Sequence, residues 1–206
     1  VRIAALMVVA SCLLPKAIRA YAEIQPHVVI RIRDCPVDRL VEAVADGDVD
    51  LAVGPNRTCD GDVDGSVLFD SPWVLWCAPN HPLADVSRVN WQDLRGHALV
   101  AAGRDHEHNV SRMHAALPES EKIAPIDVVE NISTALGIAS VGLAATLSPA
   151  YVEPLAKSFG LVMRHIIEPE IVRQVWLYRP ARRLSSPAAE GFAEHLAAWI
   201  TVHVPG

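Results

Sequence analysis

The sequence predicts two open α/β sub-domains joined by two crossover strands, with a ligand cleft at the carboxyl ends of the strands. Three observations carry this reading. Strand-like and helix-like segments alternate as β-α-β-α-β through the first third of the chain, and again from about residue 98 to residue 147. The 206 residues suit one large domain or two small ones, at roughly 100–200 residues per domain. Late in the chain, strand-like residues 171–178 lead to a last helix and supply a second connection. The expected division is residues 1–77 plus 179–206 for the first sub-domain and 78–178 for the second.

The elements follow in order. Residues 2–9 are an apolar run of strand length. Leu14, Ile18, Tyr21 and Ile24 then form a helical stripe. Proline fits only the first turn of a helix, so Pro15 sets the start between Ser11 and Leu14, and Pro26 ends it. The β-branched run 28–32 is the second strand. Pro36 opens a helix carrying Leu40, Val41 and Val44, and Gly47 sits past its end. Residues 50–53 form the third strand, and 58–65 a loop rich in Gly and Asp. Strands at 66–69 and 73–77, a turn at 79–82 and a short helix at 91–94 come next. The pattern then recurs as strand 98–102, helix 106–117, strand 126–129, helix 132–140 and strand 143–147. A helix near 151–157, strands at 161–166 and 171–178, and an amphipathic helix from 187 to 200 complete the chain. Phe192, Leu196 and Trp199 mark the buried side of that last helix.

Composition narrows the function classes. Apolar residues are 51% and charged residues 20%, which is the balance of a globular chain rather than a disordered one. Lys and Arg number 18 against 24 Asp and Glu, a net charge of −6. Such a chain lacks the cationic face that duplex DNA requires. Aromatics at 5% also argue against stacking platforms for single strands. Arg173, Arg179, Arg182 and Arg183 form a late basic group, which reads as solvated surface near a hinge.

Two apolar stretches invite a membrane reading. Residues 3–15 are uncharged, and Val9-Ala10-Ser11-Cys12 fits a lipobox. A strand running into a helix is preferred, because cleavage at Cys12 would discard the only strand preceding that helix. Residues 131–152 are uncharged and long enough to span a bilayer, yet Gly142 and Pro149 cut them into shorter elements. The chain begins at Val1 rather than Met, so a longer parent protein is expected.

Cys12, Cys35, Cys59 and Cys77 are widely spaced, with no Cys-x-x-Cys, which reads as reduced thiols. His106-Glu107-His108 with His114 raises metal binding. No partner Cys or carboxylate completes a four-ligand spacing, so a polar helix start at the surface is favoured and no metal is expected. The sequence has no Gly-x-Ser-x-Gly, phosphate loop or paired-carboxylate helix motif. An enzyme is not expected, although such a fold can host one.

Five segments resemble one family in order and spacing. They are Arg2-Ile3-Ala4-Ala5 with Ser11-Cys12-Leu13-Leu14-Pro15; Ala22 to Val28; Asp38 to Val53; Asn80-His81-Pro82-Leu83-Ala84; and Val129-Glu130-Asn131 with Gly142 before a strand. Together they resemble the effector-binding domain of LysR-type transcriptional regulators, from Val1 to about Trp199. One departure is Ser140-Val141-Gly142 and Ser148-Pro149, where the family usually has Gly-x-Gly and Leu-Pro. The resemblance implies a type II periplasmic-binding-protein-like fold of two Rossmann-like sub-domains in a cytoplasmic regulator. It implies a homodimer or tetramer, a small-molecule effector between the lobes and no cofactor. DNA contact would fall to an N-terminal winged helix-turn-helix domain absent from this chain. The runner-up is an extracytoplasmic solute-binding lipoprotein of an uptake system, suggested by the lipobox match.

The expected effector is a small polar or anionic molecule met by loops at strand ends. Ser11 is expected to cap the first helix, with neighbouring amides facing an anion and Cys12 beside it. Cys35 and Pro36 occupy the equivalent loop after the second strand. Cys12 and Cys35 are expected as unpaired thiols of the pocket wall, the alternative being a thiol pair. Gly103 and Arg104 follow a strand in the second sub-domain. Arg104 suits either a carboxylate effector or solvent. Asn131, Ile132 and Ser133 form a helix start, with Asn131 read equally as cap and as ligand contact. Thr146 either reaches the pocket floor or bonds to local backbone.

Overall fold

The computed structural model describes residues 1–103, 123–168 and 170–204. Arg104, the expected helix at 106–117 and the histidines at 106, 108 and 114 lie outside the described residues. The strands are β1 (Arg2–Ala5), β2 (Arg31–Asp34), β3 (Leu51–Pro55), β4 (Val63–Cys77), β5 (Arg88–Asn90), β6 (Leu99–Ala102), β7 (Asp127–Val129), β8 (Ala145–Pro149), β9 (Val162–Ile167) and β10 (Val172–Pro180). The α-helices of the described residues are α1 (Leu14–Ile24), α2 (Leu40–Ala45), α3 (Ile132–Ser140), α4 (Glu153–Ser158) and α5 (Pro187–His203). Two compact units result: Val1–Ser71 with Arg173–Gly206, and Pro72–Val172.

In unit 1 the sheet order is β2-β1-β3-β10. The first three strands are parallel: Ala5 pairs with Asp34 on one side and Val53 on the other. Strand β10 runs antiparallel, with Trp176 opposite Gly54 and Tyr178 opposite Ala52. One face is closed by α2, whose Leu40 and Val44 pack with Ala4, Ala52, Val63 and Tyr178. Helices α1 and α5 pack together: the Tyr21 ring meets Phe192 edge-on at 5.3 Å and lies 5.0 Å from His195. Gly47, past α2, has φ +77°, and an added Cβ there would collide with the Arg183 guanidinium. Arg2 and Arg183 donate to the Gly47 and Val49 carbonyls at 3.0 and 3.2 Å, covering the chain just past α2.

Unit 2 is a mixed sheet. Strand β4 lies between β8 and β9 and is antiparallel to both; β6 is parallel to β7 and β8, and β5 is parallel to β9. Its main core gathers Trp73, Leu75, Trp91, Leu94, Leu147 and Ile166. On the other face α3 packs Ala135 against Val100, Ala102 and Ala144.

The sheets differ from the all-parallel reading, because β4 and β10 run antiparallel to their neighbours. Strand β1 also ends at Ala5 rather than at residue 9. The Ala10 N–H already bonds the Leu6 carbonyl at 2.8 Å, so the chain is helical from Met7. The β-branched Val8 and Val9 are buried there, and packing overrides their strand propensity. A π-helical turn, Val9–Leu13, joins this start to α1. Pro15 explains it: without an N–H it cannot bond the Ser11 carbonyl, and the Leu14 N–H reaches back to Val9 instead. Strand β2 begins at Arg31 rather than residue 28, and it is an edge with one neighbour. Strand β4 is one 15-residue strand where two were expected, and it passes through Pro72.

Candidate functional site

Parallel strands deliver their following loops to one edge of each sheet. In unit 1 these loops leave Ala5, Asp34 and Pro55; in unit 2 they leave Ala102, Val129 and Pro149. The four N–H groups that open a helix have no intrahelical acceptor, so something else must meet them.

After β1, the amides of Met7, Val8 and Val9 precede the first helical bond, and Leu6 has no side-chain oxygen to cap them. Ser11 is therefore not the cap. It lies exposed inside the π-turn, with Oγ 3.9 Å from Met7 Sδ and 3.5 Å from Cys12 Sγ. Pro15 does sit in the first turn of α1, but the chain is already helical from Met7, so Ser11 lies inside a helical segment rather than ahead of one. After β2, the Cys35 N–H donates to the Ala5 carbonyl at 3.0 Å. Pro36 then opens a 3-10 turn, Val37–Arg39, without a side-chain cap. After β3 the arrangement differs. Tyr178 donates its hydroxyl to the Pro55 carbonyl and accepts the Arg57 N–H at 2.8 Å. Burial pushes this phenol up to about 12.

In unit 2, Gly103 leaves β6 with φ +74°, and an added Cβ would lie 3.8 Å from the Glu130 carbonyl. Asn131 has the extended backbone of an N-cap, yet its side chain makes no capping bond to α3. Its carbonyl accepts from Thr134 at 3.1 Å, and Ile132 and Ser133 are half-buried beside it. Thr146 is fully buried and donates its hydroxyl to the Val100 carbonyl at 2.8 Å. The acceptor is backbone, as one of the two readings had it, but that of the neighbouring strand β6 rather than local backbone.

Cys12, Cys35 and Cys59 are half-buried free thiols, and Cys77 is buried. Burial holds the Cys35 and Cys59 thiols above their ordinary value, so both are protonated at neutral pH. Among the described residues, no group of three or more His, Cys, Asp or Glu is placed to hold a metal. The late arginines are engaged locally. Arg179 pairs with Glu190 at 3.5 Å and Arg182 with Asp62 at 3.1 Å, while Arg183 meets the Val49 carbonyl. No helix among the described residues is long and apolar enough to cross a membrane.

Sequence reasoning missed Leu6, Met7 and Val8 as the first helical turn, and Tyr178 as the group that fixes the loop after β3. A tyrosine at the same end of the sheet as a polar turn was the only available signal for the latter.

An open edge of helix starts on each of two α/β units defines a class of ligand-sensing domain. The chain belongs to the LysR substrate binding domain family, whose match covers residues 1–201. It is 31% identical over 188 residues to the transcriptional dual regulator GltC of Bacillus subtilis, covering 90% of this chain and 62% of that protein. It is 27% identical over 179 residues to the uncharacterised HTH-type transcriptional regulator YbhD of Escherichia coli K12, covering 87% of this chain and 56% of that protein. The chain thus spans roughly three fifths of these relatives, which are transcriptional regulators rather than enzymes. The fold matches the effector-binding domain of QuiR in complex with shikimate, with a TM-score of 0.82 at 16% identity over 98% of this chain and 97% of that one. It also matches the BenM effector-binding domain with benzoate, with a TM-score of 0.82 at 18% identity over 98% and 92%. These likenesses establish the periplasmic-binding-protein-like fold.

Proposed function

We propose that this chain is the effector-sensing and oligomerisation domain of a cytoplasmic LysR-type regulator. In this reading a small polar or anionic metabolite modulates DNA binding and transcription. The observation that carries the ligand reading is the absence of side-chain caps at the helix starts after β1, β2 and β7. Donors left without a capping side chain are available to an acceptor, and the positive end of a helix dipole favours an anion. In unit 1 the candidate contacts are the amides of residues 7–9 with Cys35 and Pro36. In unit 2, taken by itself, they are Gly103, Asn131, Ile132 and Ser133, with Arg104 outside the described residues. The ligand acts only through unequal affinity for two conformations of the domain.

The chain also self-associates in this reading, through apolar side chains beside edge strands β2 and β7. Ile32 within β2 is exposed, as are Ile24 and Val29 before it, and exposed Ile126, Val141 and Leu143 lie in unit 2 near β7 and the end of α3. Exposed apolar side chains grouped in this way mark surfaces for a partner. Sedimentation at micromolar concentration is expected to give dimers or larger, and a monomer alone overturns this part.

For the ligand, calorimetric titration of wild type is compared with Asn131→Asp and Ser133→Ala. A carboxylate at residue 131 is expected to raise thermal stability by about 0.3–1 kcal/mol and to weaken an anionic ligand. Affinity unchanged in both variants, yet weakened by a distant change such as Lys157→Ala, overturns the site.

A further inference from the structure

The turn that joins β4 to β5, residues 78–87, is held in three ways. Its backbone closes on itself: the His81 N–H donates to the Ala78 carbonyl at 3.0 Å, the Ala84 N–H to the His81 carbonyl at 2.8 Å and the Val86 N–H to the Leu83 carbonyl at 3.2 Å. The Leu83 N–H has a side-chain acceptor, His81 Nδ1, at 3.1 Å. From β9 the Arg164 guanidinium donates to the Ala84 carbonyl. Leu83 and Ala84 are thereby seated in the main core of unit 2, with Val89 and Trp91. Strand β5, which follows the turn, is three residues long and pairs with β9 alone.

The ring bond sets a condition on His81. A ring nitrogen that accepts carries no proton, so Nδ1 is bare and Nε2 holds the hydrogen. A proton added at Nδ1 sets donor against donor, and the N–H of Leu83, a residue only 8% exposed, loses its partner. The His97 ring lies 5.0 Å away, tilted by 48°. The elements around the turn carry other charges: Asp85 on the turn itself, Asp93 and Arg95 on the stretch before β6, and Arg164 on β9. The end of α3 carries none where Gly142 meets Asn80. Burial and the His97 ring are what push the His81 imidazole below its ordinary value.

We propose that His81 and His97 form an acid-sensitive latch on this turn: the bare Nδ1 holds it closed, and protonation releases residues 81–86 and the β5 margin while the rest of unit 2 stays folded. The margin can open alone because β6, β7 and β8 pair among themselves and with β4, without β5. His97 sets the threshold, since two imidazolium rings at this spacing repel each other. The latch is local: it acts on the bonds of one turn, and it depends on neither the ligand nor the association reading above.

The test titrates the whole chain from about pH 8 to about pH 5 and follows the His81 ring and the Leu83 amide by NMR. Both are expected to move with one midpoint, below about 6.5. Hydrogen-exchange protection of the Ala84 and Val86 amides is expected to fall about tenfold for each pH unit below that midpoint, while Val100 and Ala102 in β6 keep theirs. His97→Gln is expected to raise the midpoint toward the ordinary value. His81→Asn, whose amide oxygen still accepts, is expected to remove the pH dependence at Leu83. A Leu83 amide that stays put while His81 titrates overturns the latch, as does a His81 midpoint at or above the ordinary value. Protection lost throughout unit 2 at the same midpoint also overturns it, since acid then unfolds the unit rather than opening the turn.

Discussion

Helix starts along this chain are built in two ways, with a capping side chain and without one. Helix α5 begins at Ser186, whose hydroxyl accepts the Ala189 N–H at 3.2 Å. The 3-10 turn at Trp91–Leu94 begins at Asn90, whose N–H is held by the Asp93 carboxylate at 2.8 Å. The first comes after β10, which is antiparallel to β3, and the second directly follows β5, which is parallel to β9. At the carboxyl ends of β1, β2 and β7, by contrast, the starts carry Leu6, Pro36 and a non-capping Asn131. Position after a strand does not decide the matter alone: the start after β5 is capped by side chains, whereas those after β2 and β7 are not. The loop after β3 is the instructive exception, since Tyr178 reaches it from β10 and fixes it.

The contrast can be broken most severely at that exception. Tyr178→Phe strands the buried Pro55 carbonyl and Arg57 N–H, and the expected loss is about 1–3 kcal/mol in urea denaturation. A loss near zero would mean that water replaces the hydroxyl and the loop is not fixed by it. Next comes the cap itself: Ser186→Ala is expected to cost about 1 kcal/mol of global stability.

A third experiment uses pH on a turn fixed by a ring nitrogen. His81 Nδ1 accepts the Leu83 N–H at 3.1 Å, and burial with the neighbouring His97 pushes its imidazole below the ordinary value. The unfolded chain therefore takes up the proton first. This contribution to stability is full above about pH 6.5 and is lost as pH falls from there through the folded-state value. His81→Asn is expected to flatten the stability profile in that window. A wild-type profile already flat there would refute it. The smallest effect is expected at Ser11→Ala, within about 0.5 kcal/mol, because that hydroxyl caps nothing. A cost of 1 kcal/mol or more would restore it as a cap.

Much of this architecture was legible in the residues. The spacing of residues 132–140 predicted α3 to the residue, because Asn131 and Gly142 bracket a short apolar segment. Gly47 marked the end of α2 because a positive φ suits glycine. What local pattern did not carry was the influence of neighbours. Strand β1 stops where β2 and β3 stop pairing with it, which no property of Val8 or Val9 announces. Strand β4 continues through Pro72, although proline usually interrupts a strand. Asn131 and the loop at Cys35 were correctly placed after a strand. Ser11 was misread as a cap from side-chain propensity alone, and the bond of Thr146 joins it to Val100, a residue distant in sequence.

The π-turn at Val9–Leu13 also sets a phase. Each residue of an α-helix advances the chain by about 100°, so one extra residue in a turn rotates everything before it by that amount relative to α1. The buried positions Val9, Ala10, Leu13, Leu14 and Ala17 share one side of the two segments. Pro15 thus acts as a clutch between two helical segments. Its missing N–H uncouples the orientation of residues 7–10, at the end of β1, from the orientation of α1 against α5. The face at the carboxyl end of β1 and the face that α1 turns to α5 can therefore be varied separately by substitution.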